Sequence, residues 1–142
     1  TSVKVKAMYK IIGELESLGD SGESISRILS RKNIHKKKFD AEAMKKLNMM
    51  ADAVVVAYDA MLTNLEAAHK GELVEITNAY NAEDRLNTLR NNFRDEVVEA
   101  VEEDGNNYQA SVYFMDIINT FEHMGDFMIN VSQDLERGFA NK

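Results

Sequence analysis

The sequence predicts an all-α fold, an antiparallel up-down bundle of four long helices. Apolar residues recur at three- and four-residue steps through four stretches of about 30 residues each, the period of an amphipathic helix. No proline interrupts any of the 142 residues. Turn signals fall at only three places, so the connections are short and sequential neighbours should run antiparallel. Helices of that length would be about 45 Å long. The length suits a single helical domain over residues 1–142 with a core of its own.

The first helix is expected over residues 3 to about 30, with Met8, Ile11, Ile12, Leu15, Leu18, Gly22, Ile25 and Leu29 as its inward stripe. A basic stretch from Arg31 to Lys38 follows, placed where cations complement a helix C-terminus. A solvated loop accounts for that stretch; contact with a membrane surface is the sharper alternative. Asp40 is the expected N-cap of a second helix from Ala41 to His69, which Gly71 ends. Its stripe is Met44, Leu47, Ala51, Val54, Val55, Tyr58, Met61, Leu62 and Leu65. A third helix fits Glu72 to Glu103, with Leu73, Ile76, Tyr80, Leu86, Leu89, Phe93, Val97 and Val101 inward. Asp104-Gly105-Asn106-Asn107 signals a turn, and a fourth helix should span Tyr108 to Arg137, closed by Gly138.

That fourth helix is apolar on two sides. Phe114, Ile117, Phe121, Met124, Met128, Val131 and Leu135 form one stripe, while Met115, Ile118 and Ile129 lie across from it. A helix of this kind is normally buried on both sides. Glu122 and Asp126 fall among the second set, so they sit in a partly apolar setting and need a cation, a metal or a shared proton.

Composition narrows the function classes. With no cysteine there is neither a disulfide framework nor a thiolate metal site. The net charge of −7 argues against a nucleic-acid binder. The charge is uneven, however: residues 1–50 carry eleven Lys/Arg against six Asp/Glu, so the first third could face something anionic. No apolar run approaches the ~20 residues of a transmembrane helix. There is no Gly-rich phosphate loop, no catalytic triad order and no nucleophilic cysteine, so nothing points to an enzyme.

One motif occurs twice. Leu15-Glu16-Ser17-Leu18-Gly19-Asp20 on the first helix matches Phe121-Glu122-His123-Met124-Gly125-Asp126 on the fourth, and Ser26 matches Ser132. Acids four apart share a helical face. A lone Glu-x-x-x-Asp is usually a solvated acidic stripe. Repeated with matched glycines, Glu16, Asp20, Glu122 and Asp126 become candidate oxygen ligands for a divalent or iron-type ion. Gly19 and Gly125 would let another backbone approach. Glu66-Ala67-Ala68-His69 is a single Glu-x-x-His, where a di-iron bundle uses two such pairs plus two further glutamates.

These two copies resemble the signature of the PhoU family of phosphate-signalling proteins, which repeat a three-helix unit ending in a Glu-Arg-Ile-Gly-Asp type helix. Asn130-Val131 is similar to the Asn-Ile that follows the second copy in that family. The resemblance covers nearly the whole chain: the last helix of a first repeat, then a complete second repeat. With Tyr108-Gln109-Ala110 and Ile129-Asn130-Val131-Ser132, the chain is most similar to the cytoplasmic C-terminal domain of bacterial sodium/phosphate cotransporters. By that resemblance Glu83, in Glu83-Asp84-Arg85-Leu86-Asn87, joins Glu122 and Asp126 as a metal ligand, with Asn87 standing where the family has an aspartate.

The resemblance implies a non-catalytic regulatory or assembly domain at the cytoplasmic face of the bacterial inner membrane. It would be excised from a longer transporter and would regulate phosphate uptake. Its partners would be the upstream transmembrane segment or a phosphate-signalling protein, and a homo-oligomer is expected. Two alternatives are a free-standing PhoU-like phosphate-signalling adaptor and a carboxylate-bridged metal-binding bundle using Glu66 and His69 with Glu122 and Asp126.

Overall fold

The computed structural model describes residues 2–103 and 108–139. Its elements are four helices: α1 (Ser2–Ile34), α2 (Ala41–His69), α3 (Thr77–Glu103) and α4 (Tyr108–Phe139). The expected turn at residues 104–107 lies outside the described residues.

The helices alternate in direction. Glu14 meets Asn130 and Ala7 meets Gly138, so α1 and α4 are antiparallel. Leu86 against Gly125 and Tyr80 against Gln133 make α3 and α4 antiparallel. Lys46 with Glu96 and Asn64 with Asn78 do the same for α2 and α3. The bundle is built around α4, which packs on all three others, while α2 and α3 also pack on each other. Among the described residues α1 packs on α4 alone. Both apolar sides of α4 are covered: Phe114, Ile117, Met128, Val131 and Leu135 are buried, and so are Ile118 and Ile129. Burying such a side chain stabilises the fold by roughly 1.5–3 kcal/mol.

The helix ends follow from local chemistry. Asp40 Oδ1 accepts the Ala43 N–H at 2.8 Å, the N-cap expected for α2. At its other end Gly71 takes φ +72°, the Glu72 N–H reaches Ala67 O at 2.9 Å and the Gly71 N–H reaches Ala68 O at 3.2 Å. These are the two bonds of a Schellman motif. The end of α1 repeats them with a non-glycine residue. Lys36 has φ 57°, while the Lys37 and Lys36 N–H groups donate to Lys32 O and Asn33 O, each at 3.0 Å.

Several expected boundaries and faces move. α1 runs on to Ile34, into the basic stretch. Glu72–Ile76 is not helical; it is an irregular connector, with Val74 and Ile76 buried and Leu73 exposed. α4 includes Gly138 and runs to Phe139, and a Cβ at Gly138 would collide with Ala7, so this glycine serves the close packing of α1 on α4. Tyr80 is exposed, and its hydroxyl accepts from Gln133 Nε2 at 3.1 Å. The α1 stripe divides: Ile11 is buried with Ala7, Ser21 and Ile28, whereas Met8, Ile12, Leu15 and Leu29 are exposed. α2 divides likewise, with Leu47, Met50, Val54 and Met61 inside and Met44, Val55, Tyr58 and Leu62 outside. A helix with one neighbour can cover only one narrow seam, and the wide stripe on α1 exceeds it.

Candidate functional site: a carboxylate groove between α3 and α4

The site begins with a glycine. A Cβ at residue 125 would stand 2.7 Å from Leu86 Cδ1, and Leu86 is fully buried. Gly125 therefore seats α3 directly on α4. This close approach sets Glu122 and Asp126 of α4 beside Glu83, Asn87 and Arg90 of α3.

Arg90 is the cation of the groove. Its Nη2 lies 3.8 Å from Glu122 Oε1, and its Nη1 donates to Asn119 Oδ1 at 3.4 Å. The Glu122 side chain is 15 % exposed and that of Arg90 24 %, so the pair is largely shielded from water. His123 Nε2 stands 4.0 Å from Glu122 Oε2 from an exposed position. Arg90 thus offsets Glu122 and, more weakly, Asp126, while Glu83 lies beside both acids, leaving an excess of negative charge. The Glu83 carboxyl is raised above the ordinary carboxylate range, first by burial, then by the charges of Asp126, Glu122 and Asp84. Asp126 is raised as well, by burial, by the Glu122 charge and by a hydrogen bond with Glu122, against the opposing pull of His123 and Arg90. Among the described residues, Asn87 Oδ1 and Arg90 Nε are buried without a hydrogen-bond partner.

The five proposed metal ligands are not brought together. Glu83, Glu122 and Asp126 converge, but Glu16 and Asp20 are exposed on α1, which does not pack on α3. Nothing lies within 4 Å of where a Cβ on Gly19 would stand, in contrast to Gly125. The donors are of the right kind, since carboxylate and amide oxygens suit hard cations. Their arrangement is not: Arg90 already faces Glu122, and among the described residues no group of three or more His, Asp or Glu side chains could hold a metal ion. Glu66 and His69 are exposed, and Glu66 pairs with Lys70 at 3.1 Å, so they join no cluster with Glu122 and Asp126.

Arg90 and Asn119 were not singled out in the sequence. Glu83, Leu86 and Arg90 follow a three–four step, so one face of α3 carries all three; the antiparallel pairing of α3 with α4 is expected from the short connection, but the register that sets Arg90 against Glu122 is not legible in the sequence. Ser132 closes the second motif copy. It is fully buried, and its Oγ accepts from Asn64 Nδ2 at 3.0 Å. Its counterpart Ser26 is exposed.

A separate cavity of about 380 Å³ opens where α2 and α4 begin, lined by Phe39, Lys46, Glu96, Val97 and Phe114 among others. The Lys46–Glu96 ion pair, 2.6 Å, spans its wall. No helix among the described residues is long and apolar enough to cross a membrane. Comparison with known protein families, with curated proteins and with solved structures finds no match to this chain.

Proposed function

We propose that this chain is a PhoU-like, non-catalytic regulatory domain of a bacterial sodium/phosphate cotransporter, working at the cytoplasmic face of the inner membrane. One observation carries the reading. The two helices that share the acid–x–x–Gly–acid motif, α1 and α4, pack on each other, and among the described residues α4, but not α1, has two further helices packed on it. That is the layout of one complete three-helix unit preceded by the last helix of another, which is how the family resemblance reads the chain. The exposed acids of α1 and its exposed apolar stripe agree with a helix that lacks two companions.

In this reading the domain acts by contact, and the α3–α4 groove sets how firmly the unit holds together. No bond-making chemistry is assigned to it. The basic turn around Lys36–Lys38, with Lys36 and Lys38 exposed and Ile34 73 % exposed beside it, is the part suited to an anionic membrane surface. Reading the coding sequence upstream of Thr1 tests the proposal. A run of transmembrane helices is expected, and an initiator methionine directly before Thr1 would favour the free-standing adaptor instead.

A further inference from the structure

The outer face of α1 carries a second heptad, distinct from the seam on α4. Val5, Met8, Ile12, Leu15, Gly19, Gly22, Ser26 and Leu29 follow one another at alternating steps of three and four, and all eight are exposed. The exposures are large: Met8 53 % and Ile12 59 %. Among the described residues, and apart from the helix's own adjacent backbone, no atom lies within 4 Å of where a Cβ would stand on Gly19 or Gly22. Alternating steps of three and four are the spacing of a knobs-into-holes seam.

The order of sizes along this stripe identifies its occupant. The first half is large and apolar, while the next three positions are small. Laid antiparallel on a copy of itself, the stripe puts large against small: Leu15 faces Gly19, Ile12 faces Gly22 and Met8 faces Ser26. Val5 and Leu29 close each end. These four pairings share one register, with a two-fold axis near Ser17. We infer that two copies of this chain pair through α1 in this antiparallel register.

The polar flanks fit the same register. Tyr9 of one copy comes beside Glu23 of the other, where the phenol can donate to the carboxylate. Lys4 and Lys32 would crowd each other at the two ends, but each is drawn onto its own chain. Lys4 Nζ lies 5.6 Å from the Phe139 ring centroid, and Lys32 Nζ lies 4.9 Å from that of Phe39. Glu16 meets its own copy near the axis, the one like-charge contact left in the middle. Covering the stripe on both copies removes on the order of 1,000 Å² in total, where specific interfaces begin. The inference is independent of the phosphate-transport reading.

Sedimentation velocity over a dilution series tests it. The expected species has twice the 16.1 kDa chain mass. Gly22→Leu fills the hole for Ile12 and should weaken dimerisation about tenfold or more, with an unchanged helical circular dichroism spectrum. Mixing Gly22→Leu with Ile12→Ala should restore a heterodimer, because each copy then offers a matched large–small pair. Glu16→Gln should tighten the dimer, which a parallel pairing would not do. A wild-type chain that stays monomeric, or a Gly22→Leu variant that dimerises as well as wild type, overturns the proposal.

Discussion

Leu86 Cδ1 stands 2.7 Å from the point where a Cβ on residue 125 would be, so the Leu86 side chain of α3 rests directly on the backbone of α4 at Gly125. The matched glycine of the other motif copy, Gly19, has nothing within 4 Å of that point. One motif therefore has two opposite energetic roles.

Replacing each glycine by alanine should show this. Gly125→Ala gains helix propensity but forces the fully buried Leu86 to move, and a net loss of about 1–2 kcal/mol is expected. Gly19→Ala gains propensity without a clash and should stabilise a monomeric sample by about 0.5–1 kcal/mol. Urea unfolding of both variants at low protein concentration measures the contrast.

Glu83 and Asp126 carry a pH signature. Their carboxyls are raised in the folded chain, by burial first and then by neighbouring charge. A group raised on folding contributes stability that is fully present below its unfolded value and is lost as pH rises through its folded value. Near neutral pH both groups therefore oppose folding. Glu83→Gln and Asp126→Asn should each unfold at a higher temperature than wild type near neutral pH. The advantage should shrink to nothing once the pH falls below the ordinary carboxylate range. Thermal melts across that window, read as variant minus wild type, decide it.

Divalent metal should leave the fold unchanged. Arg90 faces Glu122, and among the described residues no three acids or histidines could hold an ion. A ligand that binds only the folded state raises its stability by mass action. Melting temperatures with manganese, with magnesium and with chelator should therefore coincide. A rise with metal that Glu122→Gln abolishes would show that Arg90 yields its place.

Lys36 pays for its position at the end of α1. It holds φ 57°, a left-handed conformation in which an L side chain crowds its own carbonyl. Lys36→Gly should keep both Schellman bonds and stabilise the chain by about 1 kcal/mol in denaturant unfolding.

Much of the fold was legible because periodicity and capping are local. The Asp40 cap, the Gly71 stop and the two-sided burial of α4 all follow from residues close in sequence. Faces were harder. Met8, Ile12 and Leu15 satisfy the same three–four rule as Ile11, and only the number of neighbours α1 has decides which of them are covered. Gly138 read as a stop because Ala7, more than a hundred positions away, cannot be foreseen as its contact. The site was half legible for the same reason. Glu122 and Asp126 announce themselves by spacing, whereas Arg90 matters only once α3 is laid against α4. Val74 and Ile76 were taken into a helix because a two-residue alternation is too short to outweigh the period beside it.

We propose that this domain regulates phosphate uptake without catalysing a reaction. The most direct measurement is sodium-dependent phosphate uptake by cells making the complete transport protein, with and without residues 1–142. Transport is expected to survive deletion while its response to external phosphate changes. Identical uptake at every phosphate concentration, with the domain present or absent, would contradict it.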